Sequence, residues 1–323
     1  DLSDVKGIAF KRNGEIIITE PRPFIKDLDS IPFPMYDDFD LTKYRPATIA
    51  KEYQHLITTH ITTSRGCPFN CQFCSACRFW GRKWRMRSPK NVIDEVEWLY
   101  NEYNVRHLYF FDDIFTLDGK RVIEICQEIL RRKLDIKWET TTRIDCVDKE
   151  MLDWMKKAGC YQINFGIESG SPKILKTINK GFTVEQIREG FGLVKEAGIQ
   201  SIAFLMVGNP GENKNTINET IRLMNEVKYT GMRIGGGGIT MIFPNTPLYE
   251  LAKSKGIVTD DFWLTDSPYP FYTGDHSLRE LMLLNNRLEY GTRPKKEFIM
   301  NLIKQNIARL RSLPFFIHLL LRK

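Results

Sequence analysis

Three cysteines stand close together in the run Ser64-Arg-Gly-Cys-Pro-Phe-Asn-Cys-Gln-Phe-Cys74, at Cys67, Cys71 and Cys74. The spacing C-x3-C-x2-C puts three thiolates on one tight loop. Three thiolates can hold three corners of a cubane iron–sulfur cluster and leave the fourth iron open to a small molecule, which can then take an electron from the metal. Zinc is the competing chemistry for these residue types. Cys77 would supply a fourth thiolate within eleven residues, although structural zinc usually draws its ligands from two separated pairs. Cys77 reads instead as a neighbour of the cluster.

The elements that must position this loop follow from about residue 56, where short apolar strands alternate with amphipathic helices. Strands are expected over Leu56–Thr63, His107–Phe111, Ile136–Thr142, Tyr161–Ile167, Ile199–Val207 and Arg233–Phe243. Ser88-Pro89 opens the first helix as N-cap and N1, with Val92, Val96, Leu99 and Tyr103 on one face. Asp118 caps the next, whose apolar face is expected to hold Val122, Cys126, Ile129 and Leu130, making Cys126 a packing residue. Ser171-Pro172 starts a short helix, and Thr183 with Gln186 forms a capping box. Such alternation implies an α/β fold with a parallel sheet and right-handed crossovers. Six units predict a partial (β/α)6 TIM-like barrel, whose chemistry gathers at the C-terminal ends of the strands. The cysteine loop, Asp112, Asp113, Arg143, Glu168 and the turn from Gly208 to Glu212 all fall there.

Together these residues resemble the radical S-adenosylmethionine enzymes, in particular the subgroup with a cobalamin-binding domain ahead of the radical barrel. The resemblance runs through the cysteine loop with Phe73, Gly81-Arg-Lys-Trp-Arg-Met-Arg-Ser-Pro89 and Phe111-Asp-Asp-Ile-Phe115. It continues through Gly166-Ile-Glu-Ser-Gly170, Val207-Gly-Asn-Pro-Gly-Glu212 and Phe243-Pro-Asn-Thr-Pro-Leu-Tyr249. It implies that Cys67, Cys71 and Cys74 bind a 4Fe-4S cluster, with Phe73 packed near the adenine of S-adenosylmethionine. Asp112 and Asp113 would meet the methionine ammonium, Arg143 its carboxylate or Glu168, and Glu168 the ribose or the amino group. Gly208, Gly211 and Glu212 belong to the turn that closes on adenine. An external electron donor such as flavodoxin or ferredoxin is implied as well. Residues 1–50 resemble the end of the cobalamin domain and its linker, residues 51–258 the radical core barrel, and residues 259–323 a basic, mainly helical extension. The chain begins at Asp1, so a fragment of a longer parent is expected, and cobalamin is expected in that parent because the family's Asp-x-His-x-x-Gly motif is absent here.

Charge narrows the partners. The net charge is +7, and residues 291–323 alone carry +7, with eight Lys or Arg against Glu297. The remainder is neutral, which argues against a nucleic-acid footprint. Arg78, Arg82, Lys83, Arg85 and Arg87, interleaved with Trp80 and Trp84, are read as positioning the barrel, with Glu95 and Glu97 as nearby acids. Seven cysteines with no disulfide-like spacing and no leader or spanning stretch predict a reducing, cytoplasmic setting. The apolar run from Ser312 to Leu321, ringed by basic residues, suggests peripheral contact with a membrane and a hydrophobic substrate. The activity expected is reductive cleavage of S-adenosylmethionine for methylation, cyclisation or rearrangement of an apolar substrate. The alternatives are a tRNA methylthiotransferase-like enzyme and a non-catalytic zinc- or cluster-binding module. Cys77, Cys146 and Cys160 are candidates to quench a product radical.

Overall fold

Alternation of buried apolar and polar residues along each strand dictates a sheet with a dry outer face and a wet inner one. The computed structural model describes residues 1–47, 50–267 and 270–293. It opens with a hairpin of β1 (Ala9–Arg12) and β2 (Glu15–Ile18), turned at Asn13 and Gly14, both at positive φ. Next come β3 (Thr58–Ile61), β4 (Ser64–Arg65), the short helix α1 (Ala76–Phe79) and β5 (Arg85–Met86). The repeating units are α2 (Pro89–Glu102), β6 (His107–Phe110), α3 (Gly119–Arg131), β7 (Lys137–Thr142), α4 (Lys149–Lys157) and β8 (Cys160–Glu168). They continue with α5 (Pro172–Thr177), α6 (Val184–Glu196), β9 (Gln200–Val207), α7 (Lys214–Glu226) and β10 (Arg233–Ile239). Helices α8 (Pro247–Ser254) and α9 (Leu278–Thr292) follow.

The main sheet is six-stranded and parallel, in the order β10-β9-β8-β7-β6-β3. β3 and β10 are its edges, so the barrel is partial, as the repeats predict. Its outer face carries Leu108, Phe110, Trp138, Ile163, Phe165 and Val207, all buried against the helices. Trp138 packs edge-on to Phe110 and Phe115, and its Nε1–H donates to the Ala158 carbonyl at 2.8 Å. The indole therefore enters the core without stranding a donor.

Local signals in the sequence fix the helix starts. The Ser88 side chain accepts from Asn91 N–H, with Pro89 in the first turn, and Asp118 accepts from Arg121 N–H. The capping box of Thr183 and Gln186 is complete. Cys126 is fully buried, as expected of a packing residue. Leu130, expected on the same face, is 41% exposed, and Ile125 takes the buried place. The inward arc of α3 is centred one residue earlier than the sequence pattern suggests. The strand expected to reach Phe243 ends at Ile239, and an isolated bridge from Met241 to Phe271 lies beyond it. The apolar run from Ser312 to Leu321 lies outside the described residues. Among the described residues, no helix is long and apolar enough to cross a membrane.

Gly159 joins α4 to β8 at φ +95°, and a Cβ there would lie 2.2 Å from the Ile136 carbonyl oxygen. Both backbone strain and a backbone clash oppose any side chain. Gly159→Ala is expected to destabilise the protein by at least about 2 kcal/mol, read as a lowered thermal midpoint. An unchanged midpoint would refute the account of this turn.

Candidate active site

The cysteine loop leaves the C-terminal end of β3 and is closed at its neck by the antiparallel pairing of β4 with β5. Gly66 begins the loop at φ +96°, where a Cβ would come within 2.6 Å of the Lys83 carbonyl oxygen. Only glycine allows the two sides of the neck to approach so closely. Within the loop, Cys67 N–H donates to Gly81 and Cys74 N–H to the Cys71 carbonyl. Gln72 ties it to two helices: its N–H donates to the Ile178 carbonyl at 2.9 Å, and its carbonyl accepts from Leu248 N–H at 3.1 Å. Asn179 Nδ2 adds a bond to the Asn70 carbonyl at 2.8 Å.

The basic-aromatic run serves this neck. Arg85 donates to the carbonyls of Ile25 at 2.9 Å and Trp80 at 2.6 Å and lies over the Phe24 ring. Arg65 lies over Trp80, and Arg87 pairs with Glu95 at 2.5 Å. Glu97, the second acid considered for the run, pairs instead with Arg132.

The thiols of Cys67 and Cys74 are raised by burial, Cys67 to about 11, and their neighbouring cysteines push the same way. The unligated thiols therefore hold their protons, and a cation must displace them to bind. Among the described residues, no group of three or more His, Cys, Asp or Glu is gathered around a single-ion point. A cubane places its ligands on three separate irons, and a looser triangle of thiols suits it. The fourth iron would need no protein ligand. Cys77 is buried, with Sγ 3.9 Å from Asn70 Oδ1.

The two neighbouring aspartates diverge. Asp112 is buried and accepts from Thr63 N–H at 2.6 Å, from Ser64 Oγ–H at 2.8 Å and from the Thr63 hydroxyl. Arg121 closes the same corner, donating to the Thr63 and Arg87 carbonyls at 3.0 Å each. The expected ammonium contact at Asp112 is thus replaced by a structural one, since both of its oxygens are engaged. Asp113 points to the open rim and accepts from Gly66 N–H. Desolvation raises both carboxyls.

Arg143 does not pair with Glu168. Its guanidinium forms a two-pronged bridge to Asp145 at 2.9 Å, donates to the Lys180 carbonyl at 2.6 Å and stacks 3.6 Å from the Phe69 ring centroid. Its Nη1 lies 4.0 Å from Cys71 Sγ. Glu168 pairs with Lys180 at 2.9 Å. Glu168 sits at φ +66°, and Gly166 leaves the space its carboxylate occupies. Phe73 lies over this pair, 5.7 Å from Lys180 Nζ, and packs on a small cluster with Leu248 and Tyr249. Lys180 and Asp145 carried no signal of their own in the sequence; each matters through its partner, Glu168 and Arg143 respectively.

At the end of β9, Glu212 Oε2 accepts from Gly208 N–H at 2.6 Å and Asn209 N–H at 3.3 Å. Gly208 and Gly211 both have positive φ, and Gly211 N–H donates to Asp275 at 2.7 Å. Glu212 Oε1 and Asn209 Nδ2 are buried without a partner among the described residues. Such orphaned groups fit a polar ligand edge that would satisfy them. Cys160 lies at the opposite, N-terminal end of β8, buried beside Cys126, and Cys146 stands next to the Arg143–Asp145 bridge. Its place at the start of β8 removes Cys160 from the rim, and with it from the candidates for quenching a radical there.

A partial parallel barrel carrying a three-cysteine loop at its C-terminal rim defines the class. The model for the radical SAM superfamily matches residues 61–224, and the chain belongs to that superfamily. It is 33% identical over 263 residues to an uncharacterized methyltransferase of Pyrococcus horikoshii, covering 81% of this chain and 55% of the relative. It is 37% identical over 265 residues to the anaerobic magnesium-protoporphyrin IX monomethyl ester cyclase of Cereibacter sphaeroides, covering 79% and 41%. The chain thus spans about half the length of these curated relatives. In fold it is similar to the cobalamin-dependent S-adenosylmethionine radical enzyme OxsB, with a TM-score of 0.66 at 20% identity, covering 90% of this chain and 46% of that one. It is also similar to the radical S-adenosylmethionine methyltransferase TsrM of Kitasatospora setae, at 0.56 and 22%, covering 63% and 41%.

Two outcomes follow from this geometry. Asp112→Ala is expected to destabilise the protein by at least about 2 kcal/mol and to lower the iron taken up on anaerobic reconstitution, whereas Asp113→Asn keeps both near wild type. Equal effects would contradict the division of roles. Burial also lifts the Glu212 carboxyl from 4.5 to about 7. The folded chain then keeps a proton that the unfolded chain has lost, so this group's contribution to stability falls as pH rises from about 4.5 to 7. Melting curves from about pH 5 to 7.5 should show the wild type losing several degrees relative to Glu212→Gln; parallel curves would exclude the raised carboxyl.

Proposed function

We propose that this chain is the catalytic core of a radical S-adenosylmethionine enzyme of the cobalamin-associated group. The observation that carries the reading is the cysteine triad, held on a backbone-anchored loop at the rim of a parallel half-barrel. When bound, the cluster supplies an electron that cleaves S-adenosylmethionine to methionine and a 5′-deoxyadenosyl radical. The residues do the rest. Cys67, Cys71 and Cys74 hold the cluster, and Arg143, stacked on Phe69, braces the loop beside Cys71. Asp113, at the rim beside the loop, receives the methionine ammonium. Glu168, held by Lys180, faces the ribose hydroxyls or the amino group, with Phe73 alongside. The turn at Gly208 and Gly211 admits the adenine edge, and the orphaned Asn209 Nδ2 and Glu212 Oε1 satisfy it. Glu212 carries its proton on the oxygen not bonded to Gly208.

The relatives' names support methyl transfer or ring formation as the outcome, and an unactivated carbon is the acceptor we assign to methylation. The substrate is a large and mainly apolar small molecule. Electrons come from an external flavodoxin- or ferredoxin-type donor in the cytoplasm. Cobalamin belongs to the longer parent protein.

The test is anaerobic reconstitution with iron and sulfide, reduction, and chromatography of the nucleosides formed from S-adenosylmethionine. 5′-Deoxyadenosine is expected from the wild type and is expected to fall below detection in Cys71→Ala. S-Adenosylhomocysteine alone would point to polar methyl transfer, and neither product from a chain with an intact cluster would defeat the reading.

A further inference from the structure

Inside the half-barrel lies a cavity of about 1470 Å³, between the inner face of the sheet and the segment around Tyr36 to Ala47. Its walls are mainly apolar, with Leu41, Phe204 and Ile234 among them, although Arg45, Lys228, Arg233 and Arg293 also line it, and its floor is polar. Glu139 on β7 stands level with Tyr109 on β6 and Gln162 on β8. Its Oε1 accepts from Tyr161 OH at 3.3 Å, and its Oε2 from Gln162 Nε2 at 2.5 Å and Asn164 Nδ2 at 3.4 Å.

Three neutral donors surround this carboxylate. Among the described residues, the basic group within ion-pair reach is His107, whose Nε2 is 3.8 Å away. His107 is itself engaged: Nε2 meets Tyr161 OH at 2.9 Å and Nδ1 meets Thr58 Oγ1 at 2.8 Å. Both ring nitrogens of His107 are thus engaged by hydroxyls, whichever of them carries the proton. Burial lowers its pKa to about 4, so the ring is neutral at pH 7. The Gln162 side chain leaves Oε1 buried without a partner, in a residue only 3% exposed. A buried carboxyl with no countercharge, its pKa raised by that burial, and a bare acceptor thus share one floor, where both are costly unless a ligand completes them.

We propose that this cavity is the substrate chamber and that Glu139 and Gln162 Oε1 receive a cationic, N–H-donating head group, in the simplest case a primary ammonium. The inference rests on the reading that chemistry occurs at the cysteine rim, and it adds the substrate's far end. Glu139 lies four residues below the rim residue Arg143, roughly 13 Å at strand spacing. A substrate anchored at the floor therefore offers the rim a carbon about that far from its nitrogen, with an apolar body between.

The test uses two dye probes that share an apolar body, dansylcadaverine with a terminal ammonium and dansyl-6-aminohexanoate with a terminal carboxylate. Each is titrated into the full chain by fluorescence. The ammonium probe is expected to bind about tenfold tighter, the size of one charge-assisted hydrogen bond, and Glu139→Gln should bring the two within about twofold. If Glu139→Gln fails to fold, Phe204→Arg on the exposed part of the wall gives the readout: it should weaken the ammonium probe and spare the carboxylate one. Equal affinities in the wild type, or a preference that survives Glu139→Gln, would overturn the proposal. 5′-Deoxyadenosine formation on the same preparations checks the rim separately, because probe binding at Glu139 requires neither cluster nor electron.

Discussion

The site depends on one carboxylate that does no chemistry. Asp112 reaches from the end of β6 into the base of the cysteine loop and binds Thr63 and Ser64 through both oxygens. The loop is otherwise long and made of small turns, which by themselves would leave its thiols free to wander. Asp112 fixes one foot, the β4–β5 pairing closes the neck, and Gln72 pins the crown to two helices. The cost is a desolvated charge, offset by three donors and by Arg121 nearby. Preorganisation of this kind lets a cluster bind without remodelling the barrel.

Around this anchor, charges fall into two sorts. Arg143 with Asp145 and Glu168 with Lys180 are matched pairs that brace the rim before any ligand arrives. Glu139 and Glu212 are buried acids without a cation, and each lies beside an unsatisfied polar atom. The matched pairs hold the rim in shape, with Glu168 engaged by Lys180 through Oε1 alone, and the unmatched acids read as places made complete by something else. That contrast, more than the count of polar residues, separates structure from site.

Much of this was legible in the sequence. Helix starts were, because capping is a matter of residue type at fixed offsets: Ser88, Asp118 and Thr183 all cap where they should. The rim was legible because parallel units place their strand ends together. The partners were not. Asp112 and Asp113 are chemically identical neighbours, and only the direction of each side chain sends one into the protein and the other to the rim. Arg143 had Glu168 as a plausible partner by sequence, but Asp145, two residues away, is met with less loss of freedom. Cys160 failed for a simpler reason, since it opens β8 and therefore belongs to the far end of the barrel. Glu139 had left a trace, a carboxylate in the middle of an otherwise uncharged strand interior, but a strand-end rule passes over it.

Among the described residues the sheet stops at β3 on one side and β10 on the other, and the barrel stays open. The gap is bordered by the stretch from Tyr36 to Ala47 before β3 and by Lys228 to Ile234 and the end of α9 beyond β9, whereas the neck of the cysteine loop is braced by the earlier residues Phe24 and Ile25. The two halves of the machine can therefore diversify at different rates. Insertions along the open seam would widen, narrow or re-line the chamber while the radical-generating end stays as it is. A family built this way can change what it acts on without relearning how it acts.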